Sequence, residues 1–196
     1  MAAGLAARID TKRPGLPQRR FARDDAGAVA VEVGLLALPF FSILAAILET
    51  SFVFLSGQVL DSAVHDASRL IRTGQAQQAS LTPAAFKALV CERLYGLFPD
   101  CEGENALFVE IQTIGGFGET NFTPPVIWDC DPTVVSCTEW TREQRYTPGR
   151  GSDFVSVQVY YKRSLMIPFG GLGLGNLPDG QRLLGAATVF RNEPFT

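Results

Sequence analysis

The longest apolar run in the chain lies near its N-terminus. Residues 28–48 read AVAVEVGLLALPFFSILAAIL, with Glu32 as the one charged residue. A helix of these 21 residues rises about 31 Å, which is close to the hydrocarbon thickness of a bilayer. A buried core helix usually shows a polar stripe, whereas after Val33 this run offers only Ser42. The pattern therefore predicts a membrane-spanning helix.

The apolar run continues into an amphipathic segment. Apolar residues recur at every fourth position: Leu55, Val59, Ala63, Ala67 and Ile71. Polar side chains fill the positions between them, as is typical of a helix with one packed face. Arg72 and then Gly74 supply the usual signals for a helix end. We therefore expect one helix of roughly 45 residues, which begins in the membrane and emerges from it.

Pro39 lies inside the predicted helix. Proline lacks the backbone donor and clashes with the preceding turn, so we expect a kink between Leu35 and Pro39. Within a membrane, we expect the carbonyl that loses its donor to be met by Ser42 or by a neighbouring helix.

Charge is unevenly distributed along the chain. The net charge is −3, yet residues 1–26 carry six basic and three acidic residues and the remainder is acidic. The positive-inside rule then places the N-terminus in the cytoplasm and the body of the protein outside. The net negative charge argues against nucleic-acid binding. A hydrophobic content of 46% excludes a disordered chain.

Two glutamates stand at different depths of the apolar run. Glu32 lies five residues past Gly27, which places it about 7.5 Å into the helix. A carboxylate near bilayer depth costs up to about 2.5–3.5 kcal/mol, so it normally has a partner or a role. The alternative is that Glu32 only reaches back to the cytoplasmic interface. Glu49 falls at the outer end of the run, where we expect interfacial water to solvate it.

The junction between the basic leader and the apolar run resembles a prepilin (class III) signal, with Gly27 followed by an apolar stretch and Glu32 at its fifth position. The resemblance implies that a prepilin peptidase of the inner membrane cleaves between Gly27 and Ala28. The new ammonium group of Ala28 would then be neutralised by Glu32 of a neighbouring subunit. Type IV pilins usually begin with an aromatic residue after the cut, and this chain has Ala28 there.

The wider pattern resembles the TadE-like proteins of tight-adherence (Tad/Flp) pilus systems. The blocks that carry the resemblance are residues 27–41 and 60–77, the neighbourhood of Cys91 and Cys101, and residues 188–195. It implies a structural minor pilin or pseudopilin of a type IVb-like pilus, processed by prepilin peptidase and needed for pilus assembly and surface adherence. Its partners would be other pilins, pseudopilins and Tad assembly components. An uncleaved, membrane-anchored accessory protein of the same assembly is the alternative.

The residues after Gly74 predict a small α+β head. Thr82 and Pro83 begin a helix that the apolar spacing extends to about Phe98. Alternating patterns predict strands at Leu107–Ile114 and Asp153–Arg163, and Leu183–Arg191 is interpreted as a last strand. A long loop at 115–150 and a glycine-rich connection at 165–180 separate the three. The first strand should be half-buried, with Glu110 on its polar face. We expect one helix to pack on an antiparallel sheet of about three strands.

The predicted organisation has three parts. They are a basic cytoplasmic leader at 1–27, a transmembrane and amphipathic helix at 28–74, and an extracytoplasmic head at 75–196.

Four cysteines lie in the predicted head: Cys91, Cys101, Cys130 and Cys137. An even number of cysteines outside the cytoplasm favours disulfides. Three pairings are possible, and local loop closure favours Cys91–Cys101 and Cys130–Cys137. The spacings of ten and seven residues, with no nearby histidine, argue against a zinc site.

The sequence shows no catalytic motif. The one histidine, His65, lies beside Asp66 on the predicted helix, where we expect a solvated position. We predict no enzymatic activity, no cofactor, no metal and no small-molecule substrate. A membrane-tethered enzyme therefore has little support.

Overall fold

A computed structural model of the 196-residue chain describes residues 25–103, 105–131, 137, 139–166 and 174–195. Most of the predicted leader, at 1–24, lies outside the described residues, as do parts of the predicted loop and of the glycine-rich connection. The chain forms two compact units, Met1–Leu44 and Ala45–Thr196.

The first element is a single α-helix of 48 residues, α1, from Asp25 to Arg72. The prediction of one long helix is confirmed. Gly74 has a φ of 79°, a left-handed conformation that ends the helix and suits glycine. Pro39 lies within α1, and the kink that we expect there stays a prediction.

Ser42 does not take the role that we expected beside Pro39. Its hydroxyl donates to the Leu38 carbonyl at 2.8 Å. The carbonyl that lacks a donor because of Pro39 is that of Leu35, four residues earlier. The expectation for Ser42 was wrong because a serine in a helix bonds to the carbonyl four residues before itself.

Three antiparallel strands form one sheet in the order β1-β2-β3. They are Leu107–Ile114 (β1), Phe154–Arg163 (β2) and Arg182–Arg191 (β3). Their bounds lie within one residue of the predicted ones, because β1 and β2 alternate between apolar and polar residues and polar or glycine-containing turns flank the strands. With the long helix, the sheet confirms the predicted α+β class.

Two shorter helices follow α1: α2, Gln75–Gln78, and α3, Pro83–Glu92. Thr82 caps α3 as predicted, since its Oγ1 accepts a hydrogen bond from the Ala85 amide at 3.2 Å. The helix ends at Glu92 and not near Phe98. The reason lies in Tyr95 and Gly96, whose φ values of 51° and 72° are incompatible with a right-handed helix.

One face of the sheet forms the core together with α1 and α3. The residues of this core that lie below 2% exposure include Leu60, Val64, Ala67, Ile71, Phe86, Val90, Leu94, Leu107, Ile111, Val155, Val157 and Val159. Each large side chain buried there contributes about 1.5–3 kcal/mol of transfer free energy. The amphipathic face of α1 after residue 55 is therefore packed within the Ala45–Thr196 unit.

The other face of the sheet is also covered, which the sequence did not predict. Phe108 and Glu110 are buried at 0% and 4% exposure, although we expected Glu110 on the polar face of β1. Residues before and after the second pair of cysteines lie over this face: the ring of Trp140 is 5.3 Å from that of Phe108, and the buried Gln158 Nε2 donates to the Asn121 carbonyl at 2.9 Å. The expectation of a half-buried strand was therefore wrong.

Candidate functional site

The apolar part of α1 presents its side chains outward. Its exposed large residues up to residue 44 are Val29, Val31, Val33, Leu35, Leu36, Leu38, Phe40, Phe41, Ile43 and Leu44. The most apolar 18-residue window has a mean hydropathy of 2.3, and none of it is buried. Within the described part of the chain, this helix is the one long and apolar enough to span a membrane. It fits a transmembrane anchor.

Gly27, Ala28 and Glu32 lie on the first turns of α1, and all three are exposed. A Cβ atom at Gly27 would meet no atom within 4 Å. The same holds at Gly34, so local packing requires glycine at neither position. Glycine costs about 1 kcal/mol relative to alanine inside a helix. The fold therefore gives no packing reason for Gly27.

Glu32 is a carboxylate on an exposed apolar surface. Val29 and Leu36, which lie one turn away on either side, are 60% and 65% exposed. None of the ion pairs among the described residues includes Glu32. Its pairing with the ammonium group of Ala28 in a neighbouring subunit stays a prediction.

The structure contains two disulfides, Cys91–Cys101 and Cys130–Cys137. This is the pairing that local loop closure favoured. Cys101 is 7% exposed and belongs to the core, whereas Cys130 lies outside the core cluster. The first bond ties the end of α3 to the segment that leads into β1. The second closes a loop within the segment that precedes Trp140.

Glu49 is buried, contrary to the expectation that water solvates it. It is 3% exposed, and its Oε1 accepts a hydrogen bond from the Met166 amide at 3.1 Å. The segment that leaves β2 therefore packs on α1 at this point. The prediction was wrong because the covering segment lies more than 100 residues later in the chain, and no local pattern around Glu49 indicates that contact.

Arg163, at the end of β2, is a buried cation that is not among the predicted site residues. It is 8% exposed, and its Nη1 donates to Ser56 Oγ at 2.7 Å and to the Leu97 carbonyl at 3.4 Å. Its Nε has no hydrogen-bond partner. The sequence does contain a signal for the burial of Arg163, because this residue continues the inward-facing alternation of Val157, Val159 and Tyr161 on β2.

Polar contacts fix the segment that covers the outer face of the sheet. Lys162 Nζ donates to the carbonyls of Cys137 and Glu139 at 3.1 and 2.9 Å, and lies 4.4 Å from the centre of the Trp140 ring. Burial lowers the pKa of the Lys162 ammonium below its usual value, and the nearby charges of Asp179 and Glu139 offset only part of this change. These contacts join β2 to the loop closed by the second disulfide.

The described residues show no arrangement suited to catalysis or metal binding. His65 is exposed and lies 3.8 Å from Asp61, while Asp66 pairs with Arg93 at 3.0 Å. Across the described ranges, no three side chains of His, Cys, Asp or Glu are grouped to hold a metal ion. The Asp66–Arg93 pair joins α1 to the residue directly after α3.

Comparison with known protein families finds a match in the N-terminal region of the chain. Residues 27–69 match the model of the family described as TadE-like protein. The match begins at Gly27 and covers the apolar run and most of its amphipathic continuation, so the resemblance to that family is confirmed. No curated protein and no solved structure matches the chain. The family implies a structural protein associated with the Tad pilus.

Proposed function

Because residues 27–69 match the TadE-like family, we propose that this chain is a structural minor pilin or pseudopilin of a Tad (type IVb-like) pilus. It is processed by prepilin peptidase after Gly27 and needed for pilus assembly and surface adherence. The observation that carries the proposal is an exposed apolar helix that has Gly27 and Ala28 in its first turn and bears one acidic residue in its apolar run, Glu32.

The outward apolar surface of α1 supports an assembly role. A helix whose large apolar side chains face outward needs lipid or other helices around it. The reason is that apolar surface left in contact with water costs about 25 cal/mol per Å². In the membrane, the lipid would surround α1 before assembly. In the filament or its base, the helices of other pilins would take the place of the lipid.

Gly27 and Glu32 support processing at the start of this helix. Local packing does not require glycine at position 27, whereas a peptidase that cleaves after it would. Cleavage would create an ammonium group at Ala28, and an exposed carboxylate one turn later suits it as a partner in an adjacent subunit. Prepilin peptidase, other pilins and Tad assembly components are the partners that follow from the proposal.

The proposed organisation keeps three parts. The basic leader at 1–27 lies in the cytoplasm, residues 28–74 form the inner-membrane helix and its continuation, and residues 75–196 form the head on the other side. The bias of basic residues toward the N-terminus supports this orientation. The two disulfides fit an oxidising compartment for the head.

Deletion and complementation test the role in assembly. A strain that lacks the chain should lose surface pili and adherence, and the wild-type chain should restore both. The restored protein should co-isolate with other pilins after mild cross-linking. Normal piliation in the deletion strain would exclude the proposed role.

A further inference from the structure

A cavity of about 460 Å³ lies beside α1 in the Ala45–Thr196 unit. Its apolar lining includes Phe52, Leu97, Leu165 and Met166, and Arg163 also lines it. This volume falls in the range of sites for small ligands. The cavity thus combines an apolar wall with one guanidinium group.

Arg163 lacks an anionic partner within the described part of the chain. None of the ion pairs found there includes it; its hydrogen bonds go to a hydroxyl and a carbonyl, and its Nε has no acceptor. A buried charge without an ionic partner is costly. A phosphate group satisfies a guanidinium particularly well, because it accepts two parallel hydrogen bonds.

The position of the cavity along α1 indicates where the anion would come from. Within the Ala45–Thr196 unit, the exposed large apolar side chains of α1 end at Leu55. An exposed apolar surface of this kind marks the part of a helix that meets lipid or a partner. Arg163 is bonded to Ser56, the residue directly after this surface, and would therefore lie at headgroup level.

We propose that this cavity binds one anionic phospholipid, whose phosphate contacts Arg163 and whose acyl chain lies against Phe52, Leu97 and Leu165. The lipid would fix the head to the membrane surface before assembly and would have to leave, or be carried along, when the protein enters a filament. The proposal requires that α1 meets a membrane, but it does not depend on pilus assembly.

Native mass spectrometry of the full-length chain in a nonionic detergent tests the site, with phosphatidylglycerol as the added probe. The wild-type chain should retain one phosphatidylglycerol molecule. Arg163→Gln should lower the retained fraction about tenfold, and Arg163→Lys should be intermediate. Arg145→Gln is the matched control, because Arg145 is exposed and lies outside the cavity; it should bind as the wild type does.

Leu97→Trp is a second variant that leaves the charge in place. The larger ring should fill the cavity and displace the lipid, while the Leu97 main-chain carbonyl still accepts from Arg163. Every variant should still unfold cooperatively in urea, which verifies that the head is folded.

Three results would overturn the proposal. Equal retention by the wild type and by Leu97→Trp or Arg163→Gln would mean that lipid surrounds the apolar helix without using the cavity. Binding of inorganic phosphate alone, with no preference for the lipid, would reveal a simple anion site. A dimer that forms without lipid and is lost in Leu97→Trp would identify a second copy of the chain as the occupant. None of these results bears on piliation, so the proposed function would be judged separately.

Discussion

Arg142 donates two hydrogen bonds to a single carboxylate oxygen of Glu110, from Nε at 3.1 Å and from Nη2 at 2.6 Å. The side chain of Glu110 is 5% exposed and that of Arg142 is 33% exposed. The pair joins β1 to a segment 32 residues later and helps to cover the outer face of the sheet. The carboxylate depends on this contact more than the guanidinium does, because the Glu110 side chain is far less exposed and because Arg142 also donates to the Thr123 carbonyl at 2.9 Å.

The two halves of this pair should therefore respond differently to removal. Arg142→Met leaves a buried carboxylate without a partner and should lower the free energy of unfolding by about 3 kcal/mol. Glu110→Met leaves an arginine that can turn to water, so the loss should be about 1–2 kcal/mol. Urea unfolding of the full chain in detergent measures both values.

A surface pair provides the control. Arg72 and Glu193 lie 3.5 Å apart with both side chains more than half exposed, so Arg72→Met should cost less than about 1 kcal/mol. Equal losses for Arg142→Met and Glu110→Met would show that the difference in burial does not govern the pair.

The two disulfides should differ in their effect on stability. Replacing both Cys91 and Cys101 with serine should cost about 2–4 kcal/mol, because the bond closes a loop and Cys101 lies in the core. The same change at Cys130 and Cys137 should cost about 2 kcal/mol or less, because this loop is shorter and Cys130 is outside the core cluster. Thermal unfolding of the two double variants gives the comparison.

Alkylation without reductant checks the oxidation state directly. The exported wild-type protein should show no reactive thiol, since all four cysteines are paired. Two or more alkylated cysteines in the native exported protein would refute the pairing.

Alkaline pH should weaken the head through its buried tyrosines. Burial raises the pKa of the Tyr161 phenol above its usual value of 10.0; Arg163 lowers it and Asp100 raises it by smaller amounts. A pKa that is higher in the folded state gives stability that is fully present below pH 10 and is lost as the pH rises through the folded pKa. Burial likewise raises the pKa values of Tyr146 and Tyr160.

The expected result is a free energy of unfolding that falls above pH 10. Lys162, whose pKa burial lowers, contributes with the opposite sign, so the wild-type slope alone does not isolate one group. Tyr161→Phe should reduce the slope by up to about 1.4 kcal/mol per pH unit, the value for one proton. An unchanged slope in this variant would show that Tyr161 has the same pKa in the folded and unfolded chain.

The sequence predicted those elements whose signals are local. Thr82 caps a helix, Gly74 ends one, and β1 alternates over its whole length, so each was placed to within a few residues. The expectations for Ser42 and for the end of α3 failed for local reasons, whereas the burial of Glu110 and Glu49 depends on distant partners. Glu110 is buried because Arg142 reaches it from a loop without periodicity, and Glu49 because the chain returns to α1 after β2. Contacts between residues so far apart in the chain produce no recognisable pattern in a short window of sequence.

Glu32 separates an assembly role from simple solvation at the interface. If Glu32 neutralises the ammonium group of Ala28 in a neighbouring subunit, Glu32→Val leaves that ammonium group without a partner, at a cost of about 3–5 kcal/mol. The variant should then insert and be cleaved, yet fail to assemble. Glu32→Asp should be intermediate, because the charge is kept while the shorter side chain lengthens the contact.

Co-isolation with other pilus components and counts of surface pili provide the measurement for these variants. Normal piliation with Glu32→Val would mean that Glu32 only reaches the cytoplasmic interface of the membrane and takes no part in assembly. An uncleaved Glu32→Val product would assign the residue to peptidase recognition. Glu32→Gln is the control that removes the charge while it keeps the size of the side chain.

The intact mass of the protein from a strain with a working prepilin peptidase tests the central claim most directly. Cleavage between Gly27 and Ala28 predicts a chain that begins at Ala28, and a bulky residue in place of Gly27 should leave the leader attached. A wild-type protein that still begins near Met1 would contradict the account and would identify the chain as an uncleaved, membrane-anchored accessory protein.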